Sequence, residues 1–302
     1  MLYRDRTGKE WTTNSNQDKV LNWLYCTGIG RTCLKVLVKP WISKLGGCLL
    51  DTGLSRLWIK SFVEKAGIDM SQYEERRFKS YNDFFTRKIK PEKRPVDMDE
   101  THFVSPCDSK LTVHPIGDDS RFLIKGTEYT MESLLRDESL AEEYKGGTVL
   151  LFRLSVDDYH RYCYPVSGTK TDDVALKGFF HTVNPLANDV YPIYKENTRK
   201  FSMIYDKIFG KVLMMEVGAL MVGKIVNYDV EGSVKRGEEK GRFEFGGSTI
   251  IVCLKADTIT VDEDILENSK AGIETKVRYG EKIGVAIHSK LELSTGNRHN
   301  LR

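Results

Sequence analysis

The chain has 302 residues, 40% of them hydrophobic and 29% charged, with a net charge of only +3. These values describe one large or two ordinary globular domains with ample apolar material for a core, and so small a charge gives no reason to expect nucleic acid as a partner. The six cysteines (26, 33, 48, 107, 163 and 253) form no C-x-x-C pair and no regular spacing, which argues against a zinc or other metal site and against a secreted disulfide framework, so a reducing cytosol is the expected compartment.

The opening segment MLYRDRTGKEWTTNSNQD is polar and lacks the apolar core of a signal peptide. Residues 18 to about 90 read as helical. In DKVLNWLYCTG apolar residues recur at 20, 21, 24 and 25, with Asp18 as N-cap and Gly28 as stop. RTCLKVLVKPWISKLGGCLL repeats the pattern around Pro40, with Gly46 and Gly47 as punctuation. GLSRLWIKSFVEKAG places Leu54, Leu57, Trp58, Phe62 and Val63 largely on one face and ends at Gly67. Between residues 18 and 66, Lys or Arg stands at 19, 31, 35, 39, 44, 56, 60 and 65, against acids at 18, 51 and 64. Basic amphipathic helices carrying Trp23, Trp41 and Trp58 suit an anionic membrane surface; they equally suit a helical cap whose apolar face packs on the rest of the protein.

After RKIKPEKRPVD, a Pro- and charge-rich connector at 87–97, the pattern turns to period two. Strands are predicted at 110–116, 121–126, 148–154, 174–183, 211–217, 219–228, 242–254, 258–261 and 276–287, interrupted by a helix start at YTMESLL, residues 129–135. The most hydrophobic long run, VLMMEVGALMVGKIV, is broken by Glu216 and Lys224 and falls short of the ~20 apolar residues that cross a bilayer. The fold class is therefore α+β: a helical N-terminal region (1–97, with the connector) packed on a β-rich antiparallel sandwich or barrel (98–302). The tail STGNRHNLR reads as frayed.

Three places could carry chemistry. GRFEFGGSTIIVCLK, residues 241–255, reads as strand on both flanks, yet two glycines and two hydroxyl residues interrupt it. Glycine there marks a bulge or a close approach to the backbone; alternatively, a serine after glycine in a strained turn attacks the carbonyl before its own nitrogen, given a base. His160, in RLSVDDYHRYCYPVSG, is either that base or a structural hydrogen-bonder. Asp108, in FVSPCDSKLTVHPI, opens a strand with Pro106 and, taken by itself, reads as an Asx-turn residue.

Together with YNDFFTRKIKPEKRPVD and FHTVNPLA, these motifs resemble in order and spacing the phosphatidylserine decarboxylase family, in its bacterial branch with a G-G-S-T cleavage sequence. The resemblance runs from about Tyr3 to Ile287. It implies self-cleavage between Gly247 and Ser248 into a β chain, 1–247, and an α chain, 248–302, with Ser248 becoming a covalent pyruvoyl group, the pyruvate cofactor. Asp108, His160 and Ser248 match the family's catalytic triad. A Schiff base to the pyruvoyl carbonyl would then decarboxylate phosphatidylserine to phosphatidylethanolamine at the cytoplasmic face of a membrane, the enzyme being peripheral. Homodimer formation is left open. Many members read D-Y-H-R-x-H; here the second histidine is replaced by Cys163, which makes His160 the stronger candidate base and leaves His181 as a substitute acid near the substrate. The alternatives are a relative acting on a soluble amino acid such as tryptophan, and a non-enzymatic lipid-binding protein on the same scaffold.

Overall fold

The computed structural model describes residues 2–12, 21, 23–124, 127–182, 191–219, 224–228, 232–244 and 248–287. Its fold class is α+β. An eleven-stranded sheet organises it: β1 (Leu2–Asp5), β2 (Glu10–Thr12), β3 (Ser109–Pro115), β4 (Thr148–Leu154), β5 (Gly168–Lys170), β6 (Val174–Leu176), β7 (Arg199–Asp206), β8 (Gly210–Val217), β9 (Gly232–Val234), β10 (Ser248–Leu254) and β11 (Glu274–Val277). The order is β9-β5-β7-β8-β10-β4-β3-β11-β1-β2, with β6 also paired to β7. The pairs are antiparallel except β1 with β11, which is parallel.

β10 is the centre of this arrangement. Its sequence, STIIVCL, is rich in β-branched residues that fit a pleated surface, and all seven positions are buried. Side chains alternate between faces: Ile251 and Cys253 join Leu151, Leu213 and Met215 in one core, while Ile250, Val252 and Leu254 join Leu150, Phe152 and Met214 in the other. The first core is closed by helical segments, through Leu34, Val38, Leu134 and Ile193. The second is closed by two three-stranded sheets, Lys224–Asn227 with Glu239–Glu244 and Arg161–Cys163, and Ile259–Val261 with Lys282–Ala286 and His102–Val104.

Several sequence expectations change. The strand predicted at 242–254 divides into Glu239–Glu244 and Ser248–Leu254, which belong to different sheets; Phe245, Gly246 and Gly247 lie outside the described residues. The strand predicted at 174–183 shortens to β6, and that at 276–287 splits between β11 and Lys282–Ala286. Residues 2–12, expected in the helical region, instead form a hairpin that adds β1 to β11, because Arg4 and Arg6 bond Asn268 and the Asp262–Asp264 carboxylates beside that edge. The helix start at YTMESLL is as predicted: Thr130 caps Met131–Leu135 in a capping box with Ser133.

The N-terminal helices are α1 (Gly28–Leu37), α2 (Pro40–Leu50), α3 (Leu57–Ala66) and the short α4 (Tyr81–Phe85). The helix expected ahead of Gly28, helical at 21 and 23–26, does end there, at a bend at Thr27, and Gly28 itself belongs to the next helix. It begins α1, because Thr27 Oγ1 accepts the Gly30 N–H at 3.0 Å and makes Thr27 the N-cap. Pro40 begins α2, which runs on through Gly46 and Gly47. Gly67, with φ of +62°, closes α3 in the left-handed region as expected.

A buried ion pair fastens β4 to β11: Arg153 Nε and Nη2 donate to the two Glu274 carboxylate oxygens at 2.9 and 2.5 Å, with both side chains less than a tenth exposed. Replacing Glu274 by Leu leaves a buried guanidinium without its anion, a cost of about 3–5 kcal/mol. The urea midpoint of the Glu274→Leu variant should fall accordingly; an unchanged midpoint would mean that Arg153 reaches water.

Candidate active site

Ser248 opens β10. Its partner across the ladder on β4 is Leu154, and on the other side Val217 of β8 pairs with Thr249. Three strands thus meet at one end of the sheet, and alternation puts the Ser248 side chain on the face shared by Ile250 and Leu154. Ser248 is fully buried, and its Oγ has no hydrogen-bond partner among the described residues. Such a group costs about 1–3 kcal/mol, which marks it for a role other than stability.

His160 returns to the same corner because of a turn built by Asp158. The Asp158 carboxylate accepts the Ser155 N–H at 2.7 Å and the Lys110 ammonium at 2.6 Å, all in a buried setting. Within that turn His160 Nε2 donates to the Ser155 carbonyl at 3.0 Å, and the ring stacks on Phe85 of α4 with centroids 4.0 Å apart. The His160 carbonyl accepts the Phe243 N–H at 2.9 Å. His160 is therefore tied to Ser155, next to the ladder partner of Ser248, and to the strand that leads into residues 245–247. A carbonyl only accepts, so the Nε2 proton leaves Nδ1 as the lone-pair nitrogen. Nδ1 is buried and has no partner among the described residues. Burial, helped by the nearby Arg87 charge, lowers the imidazole to about 3, so the ring is neutral at pH 7.

Asp108 is engaged elsewhere. Arg94 grips it with Nε to Oδ1 at 2.8 Å and Nη2 to Oδ2 at 2.6 Å, and the Tyr279 N–H adds a bond to Oδ1 at 2.8 Å. Bidentate, charge-assisted contacts of this kind are among the strongest available to a carboxylate. The Asx-turn reading is therefore replaced by a long-range ion pair. Among the described residues no hydrogen bond joins Asp108 to His160 or His160 to Ser248. His160 and Ser248 share a corner, while Asp108 lines a polar cleft of about 210 Å³ with Arg94, Asp158, Tyr159 and Arg278.

Cys163, at the position of the second histidine, is buried; its N–H donates to the Pro106 carbonyl at 2.9 Å. Burial pushes its thiol up to about 12, so it is no base at neutral pH. His181 lies on the helical side of the sheet. It stacks on Tyr191 with centroids 4.7 Å apart, sits 3.4 Å from the Tyr25 hydroxyl and 3.6 Å from Glu196, and burial lowers it to about 4. Asn197 fixes it: the His181 N–H donates to Asn197 Oδ1 at 2.9 Å, and Asn197 Nδ2 donates to the carbonyls of His181 and Gly218, each at 2.8 Å. Gly218 follows Val217, the partner of Thr249, so His160 and His181 approach the head of β10 from its two flanks.

Sequence reading missed Arg94, Phe85, Asp158 with Lys110, and Asn197. Arg94 and Phe85 stood inside quoted motifs but were read as connector and helix. Nothing in the sequence alone singles out Asn197.

Both histidines are held neutral by burial, so folding stability carries their titration. Each has a folded pKa below its unfolded value near 6.5, so the unfolded state takes up more protons as pH falls. Their contribution is complete above pH 6.5 and is lost from there down toward 4 and 3, by at most about 1.4 kcal/mol per pH unit per histidine. Urea midpoints measured from pH 7.5 to 4.5 should decline, and His160→Phe should flatten the slope. A slope unchanged by that substitution would show His160 to be solvated.

The sequence pattern of the family described as phosphatidylserine decarboxylase matches residues 81–285. Among curated relatives, phosphatidylserine decarboxylase proenzyme 2 of Clostridium acetobutylicum is 47% identical over 265 residues, spanning 87% of this chain and 91% of its own length. The phosphatidylserine decarboxylase proenzymes of Clostridium perfringens and Ruminiclostridium cellulolyticum are each 43% identical, over 88% and 90% of this chain and 92% and 93% of theirs. With its serine buried at the head of the central strand and relatives of this likeness along nearly its whole length, the chain belongs to the phosphatidylserine decarboxylase family.

Proposed function

We propose that this chain is a self-cleaving decarboxylase of phosphatidylserine, producing phosphatidylethanolamine and CO2 in phospholipid synthesis. The observation that carries the reading is the buried Ser248 Oγ, without a partner among the described residues, at the same corner of the sheet as a neutral histidine whose Nδ1 likewise has none among them. In the proenzyme, Ser248 Oγ attacks the carbonyl carbon of Gly247 as His160 takes the hydroxyl proton; the peptide C–N bond breaks and an ester forms. Removal of the Ser248 Cα proton then expels the Gly247 carboxylate, and water releases the nitrogen as ammonia, leaving a two-carbon-plus-carbonyl cap on residues 249–302. The residues fit that outcome, since a serine is its precursor and Ser248 opens a strand that is buried along its whole length. The resulting pyruvoyl group supplies the electron-accepting carbonyl that loss of CO2 from an amino acid requires. An imidazole near 3 is a weak base until an anion approaches; Asp108, gripped by Arg94 in the polar cleft that Asp158 and Tyr159 also line, is the carboxylate we assign to that task. His181 is assigned to the substrate side, near the headgroup.

Ser248→Ala should abolish both cleavage and decarboxylation, giving a single chain of 34.5 kDa by intact mass. Two chains in that variant would move the cut and end the assignment. Asp108→Asn and His160→Ala should accumulate uncleaved chain, with cleavage slowed about 100-fold or more.

The N-terminal helices support peripheral docking on an anionic membrane surface. Their inner faces are buried through Leu34, Val38 and Leu50, and Phe62 packs edge-on against Tyr81 and Phe84. Their outer faces are apolar as well. Trp41, Leu45 and Leu49 form an i, i+4, i+8 stripe on α2, and Leu54, Leu57 and Trp58 continue it, all more than half exposed. So large an apolar surface on a soluble chain marks an interaction site, and the exposed Arg31, Lys35, Lys39 and Lys60 lie on the same helices. Among the described residues no helix is long and apolar enough to cross a membrane. Lys35, Lys39 and Lys44 changed together to Glu should weaken binding to anionic vesicles at about 1 kcal/mol per residue, an effect that shrinks with salt, while cleavage proceeds. (The Lys44 side chain lies outside the described residues.) Leu45→Ser with Leu49→Ser should weaken binding at every salt concentration. If flotation with vesicles is unchanged in both variants, the helices are only a cap.

A further inference from the structure

A cleft of about 220 Å³ lies between α1 and the segment that carries His181, lined by Leu34, Lys35, Val38, Phe179, His181 and Tyr191, with Glu196 at its edge. We infer that this cleft seats the glycerol and first acyl carbons of the lipid substrate, with its phosphate beside Lys35 at the rim. The inference rests on the decarboxylase reading and adds which part of the substrate the helical side of the sheet recognises.

The chemistry of the walls selects the occupant. Leu34 and Val38 on one side and Tyr191 on the other are apolar, and Phe179 remains half exposed although it faces them across a cleft. At about 220 Å³ the cleft lies below the roughly 300–1,000 Å³ of drug-sized ligand pockets, so it takes one segment of a lipid and not two whole chains. Its floor offers no cation, because His181 is held neutral by burial and Glu196 at the edge is an acid. A phosphate or a serine carboxylate would find no cation inside. The exposed Lys35, in the last turn of α1, offers one outside.

Position argues the same way. The cleft opens beside α1, whose outward residues Ile29 and Val36 continue the exposed apolar surface of α2, so a lipid lifted from a docked bilayer meets it first. The far wall is fastened to α1, where Phe180 N–H donates to the Val38 carbonyl at 3.1 Å, and to the sheet, where Asn197 ties His181 to Gly218 at the end of β8. β8 borders β10, with Val217 paired to Thr249. A lipid held by its glycerol there extends its serine headgroup past His181 toward the backbone at the head of β10.

Phe179→Asp and Lys35→Ala test this with exposed side chains, so folding is little disturbed; self-cleavage and melting temperature serve as controls. Mixed micelles of a neutral detergent remove the need for bilayer docking. In them the Phe179→Asp enzyme should show a KM for dioleoyl phosphatidylserine raised about tenfold or more, the size expected for one lost apolar contact. Its kcat should be retained, and kcat/KM for water-soluble glycerophosphoserine, lacking acyl chains, should be unchanged. Lys35→Ala should raise KM for both substrates, because both carry the phosphate. An unchanged KM for the diacyl lipid in Phe179→Asp overturns the inference, and so does an equal loss with glycerophosphoserine, which would place the headgroup in the cleft. A processed wild-type chain that decarboxylates neither substrate would instead sink the proposed activity, a result separable from both.

Discussion

β10 is buried along its whole length and hydrogen-bonded on both edges, to β8 and to β4. A strand in that position has no freedom to slide, since a shift by one residue would exchange every side chain between two different cores. Its first residue is therefore fixed to the accuracy of the sheet itself. Sites built on such elements hold their geometry better than sites on loops. The three features that crowd the head of β10 follow from this: the turn after β4 that presents His160, the strand 239–244 that enters the serine segment, and the Asn197 clasp that ties His181 to the end of β8.

Around that corner the protein buries three ion pairs. Lys110 with Asp158 and Arg153 with Glu274 lie on one side of β10, and Lys240 with Glu216 on the other, the last pair at 2.5 Å and fully buried. Asn227 Nδ2 donates to the second Glu216 oxygen at 2.9 Å, and Tyr162 donates to Asn227 Oδ1 at 2.7 Å. Such pairs do little for net stability compared with apolar residues of the same volume. They do fix directions, because each ion accepts or donates along several lines at once. Glu216 pairs across the ladder with Ile250, two residues from Ser248, and Lys240 lies on the strand leading to the serine segment. The network thus sets the angle at which that segment enters β10, a task that apolar packing performs less sharply.

The central strands were legible because their burial is written in their composition: 148–154 matched to the residue, and 211–217 and the apolar half of 242–254 nearly so. The strand Arg199–Asp206 was not, for a physical reason. It carries Arg199 fully buried, satisfied by the carbonyls of Leu134, Lys195 and Asn197, and a buried guanidinium looks like a surface residue in sequence. The β1–β2 hairpin was hidden likewise, since its place depends on Arg4 and Arg6 reaching Asn268 and Asp262, more than 250 positions on. At the site, motif order pointed to Ser248, His160 and Asp108 as candidates, yet it could not show that Asp108 is held by Arg94, because a partner within a Pro-rich connector reads as solvated charge. The inner faces of the helices were expected to be either core or membrane-facing; the structure has apolar residues on both sides, and period alone cannot separate two stripes on one short helix.

The placement of β10 also fixes an order of events. If the chain is cut before Ser248, residues 248–302 supply both the innermost strand, β10, and β11, on which β1 lies parallel. Before the cut these strands find their neighbours at the high local concentration that a tether provides; afterwards the same pairing would be a bimolecular encounter, weakened by dilution. A chain cut early would leave a seven-residue apolar strand with two open edges, a template for aggregation. The sheet must therefore be complete before the bond is broken. Once it is, the shorter piece cannot leave without opening ladders on both of its sides, so the assembled pair persists as a trapped product of a folding reaction that its separated parts are poorly suited to repeat.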